Sequence, residues 1–181
     1  MMKLAILFFI LLLAPVIRES LESVMVLHMF LQLPLLILVG VLLHGNRNWR
    51  FLEKWNDNGV AGMLLAVGVL IFWMLPRSLD DALTEIELEI WKFASLPLLG
   101  FLWKNSWRKI GGIFKSFLYI NFLSMFGLLA WLYLGTPVQI CNNYLINEQH
   151  IVGAVYLSSV LVLLLNLLYI VFFRGLGEEA E

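Results

Sequence analysis

Between Ile151 and Phe173 the chain runs without a single Asp, Glu, Lys or Arg, and Val24 to Leu43 does the same. A stretch of roughly 20 mostly apolar residues is long enough to cross the hydrocarbon core of a bilayer as a helix. Two such stretches in 181 residues point to the solvent before any other feature is read. The composition agrees: 61% of residues are hydrophobic and 14% charged, against about 45–50% and about 25% in an average soluble domain. A soluble domain this small has too little interior to hide the excess. A water-soluble enzyme, a disulfide-stapled secreted domain and a disordered chain are therefore disfavoured.

Further segments extend the pattern. Lys115 to Leu134 reaches span length, and Gly59 to Leu75 is shorter and Gly-rich, as a tightly packed membrane helix can be. Phe93 to Trp103 reaches span length only if its helix starts near Leu83. Leu4 to Ile17 is short and has Pro15 near its end. After Met1-Met2-Lys3 it also reads as a signal peptide, but no A-x-A-type cleavage site follows Pro15, which favours an uncleaved first helix. The expected fold is all-α: a single membrane domain, a polytopic bundle of about six transmembrane helices near 4–17, 24–43, 59–75, 83–103, 115–134 and 151–173.

Basic residues set the expected orientation. Arg47, Arg50 and Lys54 lie in one connection, Lys104, Arg108, Lys109 and Lys115 in another, with Lys3 and Arg174 on the same side. The opposite side keeps Arg18, Arg77 and Lys92 against an excess of Asp and Glu. The positive-inside rule puts the first set in the cytoplasm, giving both termini inside (N-in/C-in). Omitting the 83–103 span would move Lys104, Arg108 and Lys109 outside, so the charges argue for it. In Leu79 to Lys92, Leu79, Leu83, Ile86 and Ile90 fall at helical spacing, as in an interfacial amphipathic helix. The alternation from Glu85 to Ile90 would also suit a strand, but an open strand edge near lipid is costly.

Chemistry-bearing motifs are scarce. No Walker loop, GxSxG, HExxH or CxxC pair occurs, the single cysteine excludes an intrachain disulfide, and a net charge of −1 offers nucleic acid no basic field. Asp80 and Asp81 lack a visible nucleophile or electrophile partner and read as a solvated acidic face. Trp73 reads as an interfacial anchor before the Pro76 break, and His44 as a solvated loop residue. Cys141 reads as a small buried residue. What remains is a set of soft and borderline donors at the outer membrane level. Met25, His28, Met29 and Gln32 share one helix face, Met74 ends the third span, and His150 opens the last, with Asn147 as a possible N-cap. Thioether and imidazole groups suit Cu(I). Met is more often packing in such helices, whereas an intramembrane His is a functional hypothesis by default.

These residues, in this order, resemble the CtaG-like cytochrome c oxidase assembly factors associated with caa-type oxidases. The likeness rests on Val24-Met25-Val26-Leu27-His28-Met29 followed by Pro34-Leu35-Leu36 and Gly40; on Trp73-Met74-Leu75-Pro76 with Asp80 and Ala82-Leu83; and on Asn147-Glu148-Gln149-His150 with Gly153. It implies a non-enzymatic, multi-pass assembly factor for a respiratory oxidase, a metallochaperone binding Cu(I) at the outer (periplasmic) face. The copper ligands would be His28 with Met25 or Met29, helped by Met74 and His150, and the partners oxidase subunits or a copper chaperone besides membrane lipid. Departures are as informative: Val24, Leu27 and Met74 stand where the family has His, Gln and His, and the later His positions look like Glu89, Lys92 and Phe93. The alternative is an accessory or structural subunit of a membrane complex that keeps the scaffold without the metal. A haem, quinone or transport role finds less support, since no inverted repeat is evident.

Overall fold

The computed structural model describes residues 2–44 and 54–174; these are helical apart from short connections, with no strand among them. Three helices are long and apolar enough to cross a membrane: Met25–His44, Gly112–Gly135 and Ile146–Phe172. The count reaches five if the bent pairs Met2–Leu13 with Pro15–Glu22 and Val60–Met74 with Pro76–Thr84 are each one span. In chain order the helices are α1 (Met2–Leu13), α2 (Pro15–Glu22), α3 (Met25–His44), α4 (Val60–Met74), α5 (Pro76–Thr84), α6 (Ile86–Trp107), α7 (Gly112–Gly135) and α8 (Ile146–Tyr169). The expected 83–103 span falls on α6, which is not among those three helices. Arg47 and Arg50 lie outside the described residues.

Prolines set the breaks. The residue before a proline is pushed out of the helical region, while proline itself suits the first helical position because its missing N–H has no partner there anyway. Ala14 (ψ 127°) and Leu75 (ψ 130°) are accordingly extended, and Pro15 and Pro76 each start the next helix. The axes turn by 67° and 72° at these points. Glu85 is also extended and separates α5 from α6, so the expected Leu79–Ile90 stripe does not form: Leu79 is fully buried, whereas Ile86 and Ile90 are exposed. Inside α3, His28–Gln32 forms a π turn immediately before Pro34, which cannot donate to the preceding turn. A widened turn is a common accommodation of that lost bond.

The chain divides into two compact units, the first comprising residues up to Gly111 together with Cys141–Leu145. In it α3 and α6 run parallel, with His28 near Lys92 at their starts and the Lys104 ammonium donating to the Val41 carbonyl near their ends. Their crossing is set by glycine. A Cβ on Gly40 would collide with the Pro97 carbonyl oxygen, and one on Gly100 with that of Ile37; small residues let membrane helices approach this closely. α4 packs on α6 and α1 on α3. Where α4 begins and α6 ends, buried Asn56 accepts the Gly62 N–H (2.9 Å) and donates to Ser106 Oγ (2.8 Å), while Lys109 donates to the Asn56 carbonyl. Gly59 enters α4 at φ +73°, a conformation that favours glycine.

The second unit is Gly112–Ile140 with the residues from Ile146 onward, and its core is an antiparallel pair, α7 and α8. Gly153 lies under Leu134 and Tyr133, Tyr133 stacks parallel on Tyr156, and the Tyr119 hydroxyl donates to the Leu163 carbonyl at 2.6 Å. Most of α8 remains exposed and apolar, the surface expected of a helix solvated by lipid.

Candidate functional site

The end of α2, the starts of α3 and α6, and the segment Cys141–Leu145 meet at one end of the first unit. His28, in the π turn, is fully buried. Its Nδ1 lies 2.8 Å from the Tyr144 hydroxyl, which itself donates to the Glu22 carbonyl at 2.9 Å. A hydroxyl carries one hydrogen. With that hydrogen on the carbonyl, His28 Nδ1–H is the donor to Tyr144, and Nε2 carries the lone pair. Lys92 Nζ sits 3.3 Å from Nε2. An ammonium can only donate, so both ring nitrogens lead to the same tautomer.

Lys92 is fully buried and pairs with Glu22 Oε1 at 2.6 Å. Gln32 donates to the same oxygen at 2.9 Å, while its own Oε1 is buried without a hydrogen-bond partner. Arg18, one turn earlier on α2, lies 3.9 Å from Glu22 Oε2 and also pairs with Glu89 of α6. Two cations therefore balance two carboxylates. The hydrogen-bond path is a closed ring, from the Glu22 carboxylate through Lys92, His28 and Tyr144 back to the Glu22 carbonyl. A proton relay needs separate entry and exit points, and this ring starts and ends on one residue. Its evident effect is to clamp α2, α3, α6 and the 141–145 segment together.

A second fastening lies beside it. Asp80 is buried, and its carboxylate accepts the backbone N–H groups of Asn142 (2.9 Å) and Asn143 (3.0 Å) and the Asn143 side-chain amide (3.0 Å). Cys141, fully buried, reaches the Pro76 carbonyl with its Sγ. Asp80 is thus a buried loop anchor rather than part of a solvated face. Trp73 is likewise fully buried, its indole N–H on Ser95 Oγ at 2.7 Å, rather than an interfacial anchor. His44 is half-buried with its ring against Phe101, not solvated.

Of the expected copper ligands, Met25, His28 and Met29 are buried together on α3, and Met74 is buried at the end of α4. His150 belongs to the second unit, half-buried at the start of the second turn of α8. That helix starts at Ile146, so Asn147 lies inside the first turn instead of capping it. Among the described residues no group of three or more His, Cys, Asp and Glu is placed to hold a metal; methionine is outside that set. A copper ion would reach His28 Nε2 only by displacing the Lys92 ammonium, so the residues as arranged fit a tethered ammonium better than copper. Sequence reasoning missed Arg18, Glu22, Glu89 and Tyr144. The i, i+4 spacing of Arg18 and Glu22 was the only local signal.

In comparisons with known proteins, no family model, no curated protein and no solved structure matches the chain.

Proposed function

We propose that this chain is a non-enzymatic, multi-pass accessory protein of a membrane complex, retaining the scaffold of a respiratory-oxidase assembly factor while its buried polar centre serves as a structural clamp. The observation that carries this reading is the engagement of both His28 ring nitrogens, by Tyr144 and by Lys92. A buried cation at hydrogen-bond distance from the imidazole repels an incoming metal and occupies its lone pair. The six-span, N-in/C-in arrangement in a cell inner membrane, with the clamp at the outer face, belongs to the same proposal. It is supported by the parallel course of α3 and α6 and by the meeting of residues 56 and 106–109 at the opposite end.

The second reading is Cu(I) handling within the first unit by His28 with Met25 or Met29 and Met74, favoured by the burial of all four residues, three of them close together on α3. A deletion strain separates the two. The accessory role expects loss of assembled cytochrome oxidase, read by its reduced-minus-oxidised spectrum, and rescue by His28→Gln, whose amide keeps a donor and an acceptor. Failure of His28→Gln to rescue, together with rescue of the deletion strain by added copper, would favour the copper reading. An unchanged oxidase spectrum in the deletion strain would overturn both.

A further inference from the structure

We infer that Lys92 is the resident cation of a built-in cation site whose donors are the Glu22 carboxylate, His28 Nε2 and the Gln32 side-chain oxygen, and that Lys92 is the residue that keeps a divalent metal out. The inference rests on the clamp described above. Three facts carry it. The Lys92 ammonium lies within hydrogen-bond distance of both Glu22 Oε1 and His28 Nε2, two atoms that are metal-ligand types. All three donor residues are on adjoining helices, with His28 and Gln32 fully buried and the Glu22 side chain 13% exposed. Gln32 Oε1 is a buried acceptor with no partner, which leaves one more oxygen than the ammonium satisfies.

An oxygen, nitrogen, oxygen donor set of this kind suits Zn²⁺ and Co²⁺, which take His nitrogen and carboxylate oxygen. A covalently tethered ammonium supplies positive charge to the same donors without any loading step. It also contributes one charge where a divalent ion would contribute two, which matches the neutral balance of Arg18, Glu22, Glu89 and Lys92. Shortening Lys92 removes the occupant and leaves Glu22 Oε1 and His28 Nε2 facing the space it held, with the Gln32 amide, which reaches Glu22 Oε1 through its Nε2, free to turn its unpartnered oxygen toward a metal.

The test is cobalt binding by the detergent-purified full chain, read by Co²⁺ visible absorption and by thermal stability, for wild type, Lys92→Met, Lys92→His and Lys92→Met/His28→Ala. Lys92→Met and Lys92→His are expected to bind one Co²⁺ about 10–100-fold more tightly than wild type, the span by which one neighbouring group changes the affinity of a metal site. Cobalt is expected to raise their melting temperatures and not that of wild type. The added His28→Ala change abolishes both effects. Lys92 variants that bind cobalt no better than wild type, that bind it equally without His28, or that fail to fold even with cobalt present would each overturn the inference. None of these readouts involves an oxidase or partner protein, so they are separate from the proposed accessory role.

Discussion

The Glu22–Lys92 pair should show strongly non-additive energetics. Lys92 is fully buried and Glu22 nearly so, and removing one member of a buried pair costs about 3–5 kcal/mol because the other is left uncompensated. The two single changes are not equivalent. In Lys92→Met, Glu22 keeps the Gln32 amide at 2.9 Å and Arg18 at 3.9 Å, so the loss falls near about 3 kcal/mol. In Glu22→Met, Lys92 loses its hydrogen-bonded carboxylate and keeps the neutral His28 nitrogen, the Phe93 ring and the more distant attraction of Glu89, which is itself paired with Arg18; this puts the loss nearer about 5 kcal/mol. Removing both leaves no unpaired charge at this position, and the double variant should be more stable than Glu22→Met alone. Unfolding in detergent micelles can be followed through the thiol of Cys141, fully buried in the same unit. Losses that simply add in the double variant, or a Lys92→Met loss larger than that of Glu22→Met, would refute the reasoning.

Other changes probe neighbouring parts of the unit. Tyr144→Phe leaves His28 Nδ1–H and the Glu22 carbonyl without the hydroxyl and should cost about 1–3 kcal/mol, measured by the same thiol-accessibility unfolding. Asp80→Ala releases the Asn142 and Asn143 N–H groups, and maleimide should label Cys141 faster in the otherwise folded protein; an unchanged rate would deny Asp80 its anchoring role. Gly100→Val drives a side chain into the Ile37 carbonyl region and should lower the melting temperature more than Gly68→Val, where an added Cβ meets nothing. Asn56→Ala leaves the buried Gly62 N–H without its acceptor and should cost about 1–3 kcal/mol, seen as a lower denaturation midpoint.

The helical, membrane-type character was legible because long uncharged runs such as Ile151–Phe173 have one reading. The bend at Pro76 was legible, since proline imposes it locally, whereas the expected 4–17 span ran through the 67° bend that Pro15 imposes. The Glu85 break was not: it has no proline or glycine at it, and Leu79, Leu83, Ile86 and Ile90 kept helical spacing straight through it. The candidate site was half legible. His28 stood out as an intramembrane imidazole, but its partners were hidden because Arg18 and Glu22 look, in sequence, like connection charges, and Glu89 and Lys92 like the polar side of an interfacial helix. Only tertiary packing turns them inward and pairs them. Asp80 followed the same logic, since a carboxylate near a helix break reads as solvated until its backbone partners, some 60 residues away, are known; Trp73 reads as an interfacial anchor until its indole N–H is seen on Ser95.

Copper stoichiometry of the purified wild-type chain, measured under reducing conditions in competition with a Cu(I) chelator, bears most directly on the assignment of His28 to a structural clamp. With Nδ1 on Tyr144 and Nε2 under the Lys92 ammonium, wild type should yield all its copper to the chelator, and His28→Ala should behave the same way. One retained equivalent that disappears in His28→Ala would contradict the account and make the imidazole a copper ligand.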